Sequence, residues 1–222
     1  MSSFINVSFL NGEGGSFSLN SQKETVFFTG KDILISENTA FIPSIVFLTQ
    51  KFFIIFQNLK FISNRSYFIS SFLYIYNSAS DYENHLLYFY DSLFLNNEEI
   101  ESENGLFSTM MMGCYFNFSN SFFFNNVASA DDSKGGVLYS NNEFTGFLTF
   151  VNCTFVRNYA SSGGFVFLLL GSVKFDNCIL EYNSVTNLNG NFIYYYFYVF
   201  HTIFEFYRFF FIFSNFLILL NF

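Results

Sequence analysis

Apolar and polar positions along this chain recur in one nine-residue pattern: Phe, any residue, Asn or Asp, any two, an apolar residue, any two, Asn. Full copies begin at Phe56 (FQNLKFISN), Phe89 (FYDSLFLNN), Phe118 (FSNSFFFNN), Phe150 (FVNCTFVRN) and Phe175 (FDNCILEYN). Five in succession make a repeat. Weaker copies extend it. FINVSFLNG at Phe4 ends in Gly12, Asp32, Ile35 and Asn38 lack the leading Phe, and His201, Phe204 and Tyr207 fall at the same offsets after Val199. Third positions, from Asn6 to His201, lie 24 to 33 residues apart, which describes a constant unit with variable loops. FSNFLILLN at Phe213 follows too closely for a full unit, which needs about 20 residues or more, and reads as a terminal irregularity.

Between the copies stands a second signal, a glycine followed by an apolar run: Gly14-Gly15, Gly105, Gly135-Gly136, Gly163-Gly164 and Gly190. Glycine permits positive φ at a turn, and the β-branched and aromatic residues after it predict a strand. Each unit is therefore a strand, an Asn corner, a short strand, an Asn corner, a Gly turn and another strand. No stretch combines helical caps with a 3.6-residue period.

Such a unit cannot bury its apolar side chains alone, but stacked units bury them as one continuous core. Equivalent residues then form columns about 4.8 Å apart. One column would hold Phe56, Phe89, Phe118, Phe150 and Phe175, and another Phe9, Ile35, Phe61, Phe94, Phe123, Phe155, Leu180 and Phe204. The Asn columns would hold buried amides bonded to one another and to corner backbone, since Asn carries both donor and acceptor and tolerates left-handed corners. Cys153 and Cys178 share a column with Ile33, Leu59, Ser92 and Ser121, and their parity points them inward as buried thiols, not a disulfide. Cys114 has no counterpart.

TFVRNYASSGGFVFL and FFFNNVASADDSKGGVLYS, which combine F-x-x-N with Gly-Gly-apolar, resemble the repeats of right-handed parallel β-helix proteins, in particular the polymorphic outer membrane protein type of chlamydial autotransporters and of large surface proteins of some eukaryotic microbes. The resemblance covers about residues 4 to 207. It implies an all-β, pectin-lyase-like, right-handed parallel β-helix solenoid, here of about seven to eight irregular coils, with a role in adhesion or surface display. The competing architecture is a leucine-rich-repeat-like solenoid, because FQNLKFISN also fits L-x-x-L-x-L-x-x-N. Against it, the second leucine position is Ser92, Ser121, Cys153 or Cys178 in most units.

Composition narrows the function. A net charge of -8, with nine scattered basic residues, leaves no basic stripe for a nucleic-acid backbone. The 39 Phe and 15 Tyr favour strands. Three cysteines are too few for a disulfide framework and show no metal spacing. The opening MSSFINVSFLNGEGG lacks a basic n-region, so no signal peptide is read.

Chemistry finds little support. Asp131-Asp132 and the Glu98, Glu99, Glu101, Glu103 cluster read as solvated loops, His85 as a polar-loop residue and His201 as a substitute for a corner Asn. No catalytic, cofactor-binding or metal-ligating residue is assigned, and no cofactor. N-x-S/T sequons begin at Asn6, Asn64, Asn117 and Asn152, and glycosylation of Asn6 or Asn152 would conflict with an inward column.

The chain divides into a repeat domain, 1-208, and an apolar tail, 209-222. A membrane-spanning helix needs about 20 apolar residues, and His201, Glu205 and Arg208 interrupt the aromatic C-terminal stretch. It reads as further coils of a longer protein, a membrane-associated tail or an association surface. The expected function is a non-enzymatic surface or extracellular scaffold with protein or glycan partners. Alternatives are a carbohydrate-active remnant on the same fold and a membrane-tethered protein.

Overall fold

The computed structural model describes residues 2–5, 8–10, 17–21, 26–40, 45–49, 52–67, 73–75, 85–101, 105–109, 114–140, 146–162, 164, 166–168, 172–185, 193–195, 204–206, 209–213 and 216–220. Among them the chain is a parallel β-solenoid with four sheets running along its axis. The residues from Cys114 to Ser140 show one coil. Cys114–Ser119 lies in a long sheet, Phe122–Phe124 in a short one, Val127–Ala128 in a narrow one, and Leu138–Ser140 in the sheet that returns the chain to the next coil. From coil to coil the strands pair in parallel with their counterparts, as Phe118 does with Phe89 and Phe150. No helix occurs among the described residues, which settles the fold as a β-helix and not a leucine-rich repeat. Among the described residues the long sheet holds eight strands, one to a coil.

Two left-handed corners shape each coil. The third motif position (Asp32, Asn58, Asp91, Asn120, Asn152, Asn177) has φ of 50 to 54°, and the eighth (Glu37, Ser63, Asn96, Asn125, Arg157, Tyr182) has φ of 52 to 56°. The second corner is thus formed by the residue before the ninth-position Asn. Corner amides still bond to the neighbouring coil, as Asn120 N does to Val151 O at 3.0 Å and Asn125 N to Val156 O at 2.9 Å. Each left-handed residue adds an extra outward position to the strand alternation, so motif positions 1, 4, 6 and 9 point inward. Phe150, Cys153, Phe155 and Asn158 are each 0 % exposed, while Asn152 and Arg157 face solvent.

The expected placement of the third-position Asn inside is therefore corrected. Asn120, Asn152 and Asn177 are exposed, and their side chains bond along the outside of the corner: Asn177 Nδ2 donates to Asn152 Oδ1 at 2.7 Å and Asn152 Nδ2 to Asn120 Oδ1 at 3.2 Å. The buried ladder is the ninth position: Asn38, Asn64, Asn97, Asn126, Asn158 and Asn183. Each Nδ2 from Asn38 to Asn158 donates to the Oδ1 of the next rung, at 2.8 to 3.2 Å. From Asn64 onward, Nδ2 also donates to the position-6 carbonyl of the previous coil, as Asn126 does to Phe94 O at 2.9 Å. Each Oδ1 from Asn64 onward also accepts a backbone N–H, so these amides are satisfied inside the core.

The Phe columns form as expected. Phe89, Phe118, Phe150 and Phe175 stack at 4.8 to 5.1 Å with interplanar angles of 8 to 12°. Phe94, Phe123 and Phe155 stack at 4.8 and 4.9 Å, and the two columns meet edge to face, as Phe150 and Phe155 do at 5.1 Å. Both contact modes suit the ring quadrupole. Where the leading Phe is missing, Gly30 takes its place and Phe28 packs on Phe56 at 5.3 Å. The Gly-Gly turn is also as expected: Gly135 has φ +67°, and a Cβ on Gly136 would lie 2.5 Å from both the Gly164 and Tyr159 carbonyl oxygens. That close approach between coils requires glycine.

At the C-terminus the register differs from expectation. Phe206, not Val199, pairs with Phe175, and Phe211, not Phe204, pairs with Leu180. Phe209–Phe213 then pairs antiparallel with Phe216–Leu220. In a continuous aromatic run without Asn punctuation, alternative registers bury equivalent residues, so the pattern alone does not choose among them. His201 lies outside the described residues.

All three cysteines are buried thiols. Cys114 joins His85 and Phe52 in a column at the start of the long strands. Burial pushes the Cys153 thiol far above its ordinary value, while a hydrogen bond from Cys153 lowers Cys178. In native buffer all three are expected to react with an aromatic disulfide reagent at least about 100-fold more slowly than in denaturant, because reaction waits on opening. Fast native titration of any one would contradict this packing.

Candidate functional site

The long sheet is built from Val26–Lys31, Phe52–Gln57, His85–Tyr90, Cys114–Ser119, Phe147–Val151 and Ser172–Asp176, with further strands at both ends. Alternation sends Phe28, Ile54, Leu87, Phe116 and Leu148 into the core. It therefore turns their neighbours outward. Parallel register aligns Phe27, Phe53, Leu86, Tyr115 and Phe147 in one outer column, and Thr29, Ile55, Tyr88, Asn117, Thr149 and Lys174 in the next.

These outer rings touch one another. Phe27 and Phe53 lie 6.1 Å apart, Phe53 and Tyr88 5.8 Å, Tyr88 and Tyr90 6.1 Å with planes 10° apart, and Tyr115 and Phe147 5.4 Å. Phe27 is 50 % and Phe147 47 % exposed, which marks an aromatic strip open to solvent on the outer face of the long sheet. Partial burial, then the neighbouring Tyr88, raises the Tyr90 hydroxyl above its ordinary range. The strip thus offers ring faces with hydroxyls and the Asn117 amide between them. This chemistry suits contact and hydrogen bonding.

The acidic and histidine positions weighed from sequence fall elsewhere. Asp131 and Asp132 are exposed in a turn, as expected. Glu98 and Glu99 are not in a loop: they form a two-residue strand of the narrow sheet, where Glu98 pairs with Arg65 at 3.2 Å and Glu99 is only 1 % exposed. Its carboxyl occupies the column of Ser66, Ala128 and Ala160. Glu103 lies outside the described residues. His85 is corrected from a polar loop to the first residue of a long strand, 1 % exposed, with its ring 4.5 Å from that of Phe52. No three His, Cys, Asp or Glu side chains group to hold a metal among the described residues. No helix among them is long and apolar enough to cross a membrane.

The aromatic strip was hidden in sequence because its rings stand beside core rings in the same strand. The signal was present as the positions one and three residues before each motif Phe, which alternation turns outward once the strand is known to run straight. Comparison of the chain with protein-family models, curated proteins and solved structures gives no match, so its own geometry carries the functional reading.

Proposed function

We propose that this chain is a non-enzymatic β-solenoid segment of a surface or extracellular protein, acting as a scaffold whose long-sheet outer face is an adhesive contact surface. The observation that carries the reading is the outer strip of Phe27, Phe53, Tyr88, Tyr115 and Phe147, open to solvent at Phe27 and Phe147, on a parallel sheet. Rings held in register present contact area with little ordering cost, and the burial of such area drives association. The resemblance of the repeats to polymorphic outer membrane proteins points to the same use. Its partners are protein or glycan surfaces.

Binding of the full chain to panels of glycans and cell-surface proteins tests this. A triple change, Phe27→Ser, Phe53→Ser and Phe147→Ser, should weaken the strongest interaction by tenfold or more, about 1.4 kcal/mol, while leaving the melting temperature within a few degrees. Undiminished binding by that variant would remove the strip from the function. Cleavage of pectate or galacturonan that is abolished by changing Asp131 and Asp132 would replace the scaffold reading altogether.

A further inference from the structure

The sequons at Asn64 and Asn152 are unequal once folded. Asn64 is 0 % exposed, and its amide protons are committed to Ile35 O at 3.0 Å, Ile62 O at 3.1 Å and Asn97 Oδ1 at 3.2 Å. A sugar there would replace a ladder proton and would need space within a close-packed coil. Asn152 presents the opposite case. It is exposed at a left-handed corner, φ 52°, and Thr154, the sequon's hydroxyl residue, is half-buried on the outside of the next short strand.

Hydrogen bonding at the corner leaves room for the modification. Asn152 Nδ2 makes one donor bond, to Asn120 Oδ1 at 3.2 Å, and its Oδ1 accepts from Asn177 Nδ2 at 2.7 Å. An N-linked sugar replaces one of the two amide hydrogens and keeps the carbonyl, so both rungs of the outer ladder survive it. The short strand Thr154–Val156 starts beyond the corner, and Asn152 faces solvent there, so the glycan would project away from the core.

The structure assigns Asn152 as an N-glycan acceptor, and Asn64 as a sequon that the fold cannot tolerate in glycosylated form. The inference rests on the extracellular part of the reading above, because the donor is a lipid-linked oligosaccharide pyrophosphate of the secretory pathway. In the transfer, the sugar C1–O bond to pyrophosphate breaks, C1–Nδ2 forms, the amide proton leaves, and lipid pyrophosphate departs.

The full chain is directed by a removable leader into the secretory pathway of a eukaryotic cell. The secreted folded protein is deglycosylated enzymatically in heavy-oxygen water, which marks each occupied Asn, and then mapped by mass spectrometry. The mark is expected at Asn152 and not at Asn64. Both Asn152→Gln and Thr154→Ala should lose one glycan's mobility shift, and the second leaves the corner residue in place. An unmarked Asn152, or a marked Asn64 in folded protein, overturns the assignment. The reading it rests on fails separately: native protein found only inside the cell would refute extracellular residence, with the acceptor geometry still established by the directed protein.

Discussion

Asn126→Leu is expected to destabilise the solenoid by about 2–6 kcal/mol, from orphaning buried partners at about 1–3 kcal/mol each. Asn126 is 0 % exposed in the middle of the ladder. Its Oδ1 accepts from Asn97 Nδ2 at 2.9 Å, and its Nδ2 donates to Phe94 O at 2.9 Å and Asn158 Oδ1 at 2.9 Å. Leucine fills the space but satisfies none of them. Asn120→Gly removes a side chain from the exposed corner ladder and relieves a positive φ, so its effect should stay within about 0.5 kcal/mol. Equal losses for the two variants, measured by denaturant midpoint, would show that the buried ladder has no special role.

Asn126→Asp separates the acceptor from the donor function. An ionised carboxylate keeps the bond from Asn97 but faces Phe94 O with no proton to give. Burial raises its folded pKa above the unfolded value of about 3.9. Between those values the native state binds the proton that the unfolded state has lost, so stability relative to wild type is greatest below about pH 3.9 and falls as pH rises to the folded pKa. An Asp variant as stable as wild type at neutral pH would contradict the buried position.

Phe123→Ala should cost about 3–5 kcal/mol. Its ring lies between Phe94 at 4.9 Å and Phe155 at 4.8 Å, with the edges of Phe118 at 5.5 Å and Phe150 at 6.3 Å. The neighbouring rings are fixed to strands at the sheet spacing and cannot collapse into the gap. Because each coil contacts only its neighbours, damage to an interior coil also uncouples the two sides of the stack. Limited proteolysis should therefore open the chain near this coil before global unfolding. Phe27→Ala, which removes a ring of similar size from the outer face, should cost about 1 kcal/mol or less, and a cost near that of Phe123→Ala would mean that the face is covered in the native molecule.

Much of this was legible without coordinates. The columns through Phe118 and Phe123, the inward Cys153 and Cys178 and the Gly135-Gly136 turn follow from residue spacing, because stacking imposes one environment on each motif position. The two Asn of the motif were harder to separate. Alternation counted by twos from Phe150 puts Asn152 inside; the left-handed corner at that residue adds an outward position and exposes it, while Asn158 is buried. Glu99 and His85 misled for a related reason, since polar residues in strand positions mimic a loop when read one at a time. The outer aromatic strip was the least visible feature, as a Phe facing solvent and a Phe facing the core are the same letter.

The sequence by itself determined the repeating unit, its strands and turns, and the identity of the stacked core, because those depend on local conformation and on hydrophobic spacing. The tertiary structure decided which amide column is buried, which ring column is exposed and where the C-terminal register falls. Those choices are made by the neighbouring coil, whose carbonyls select Asn126 as the inner amide and whose strands set the pairing of Phe206 and Phe211.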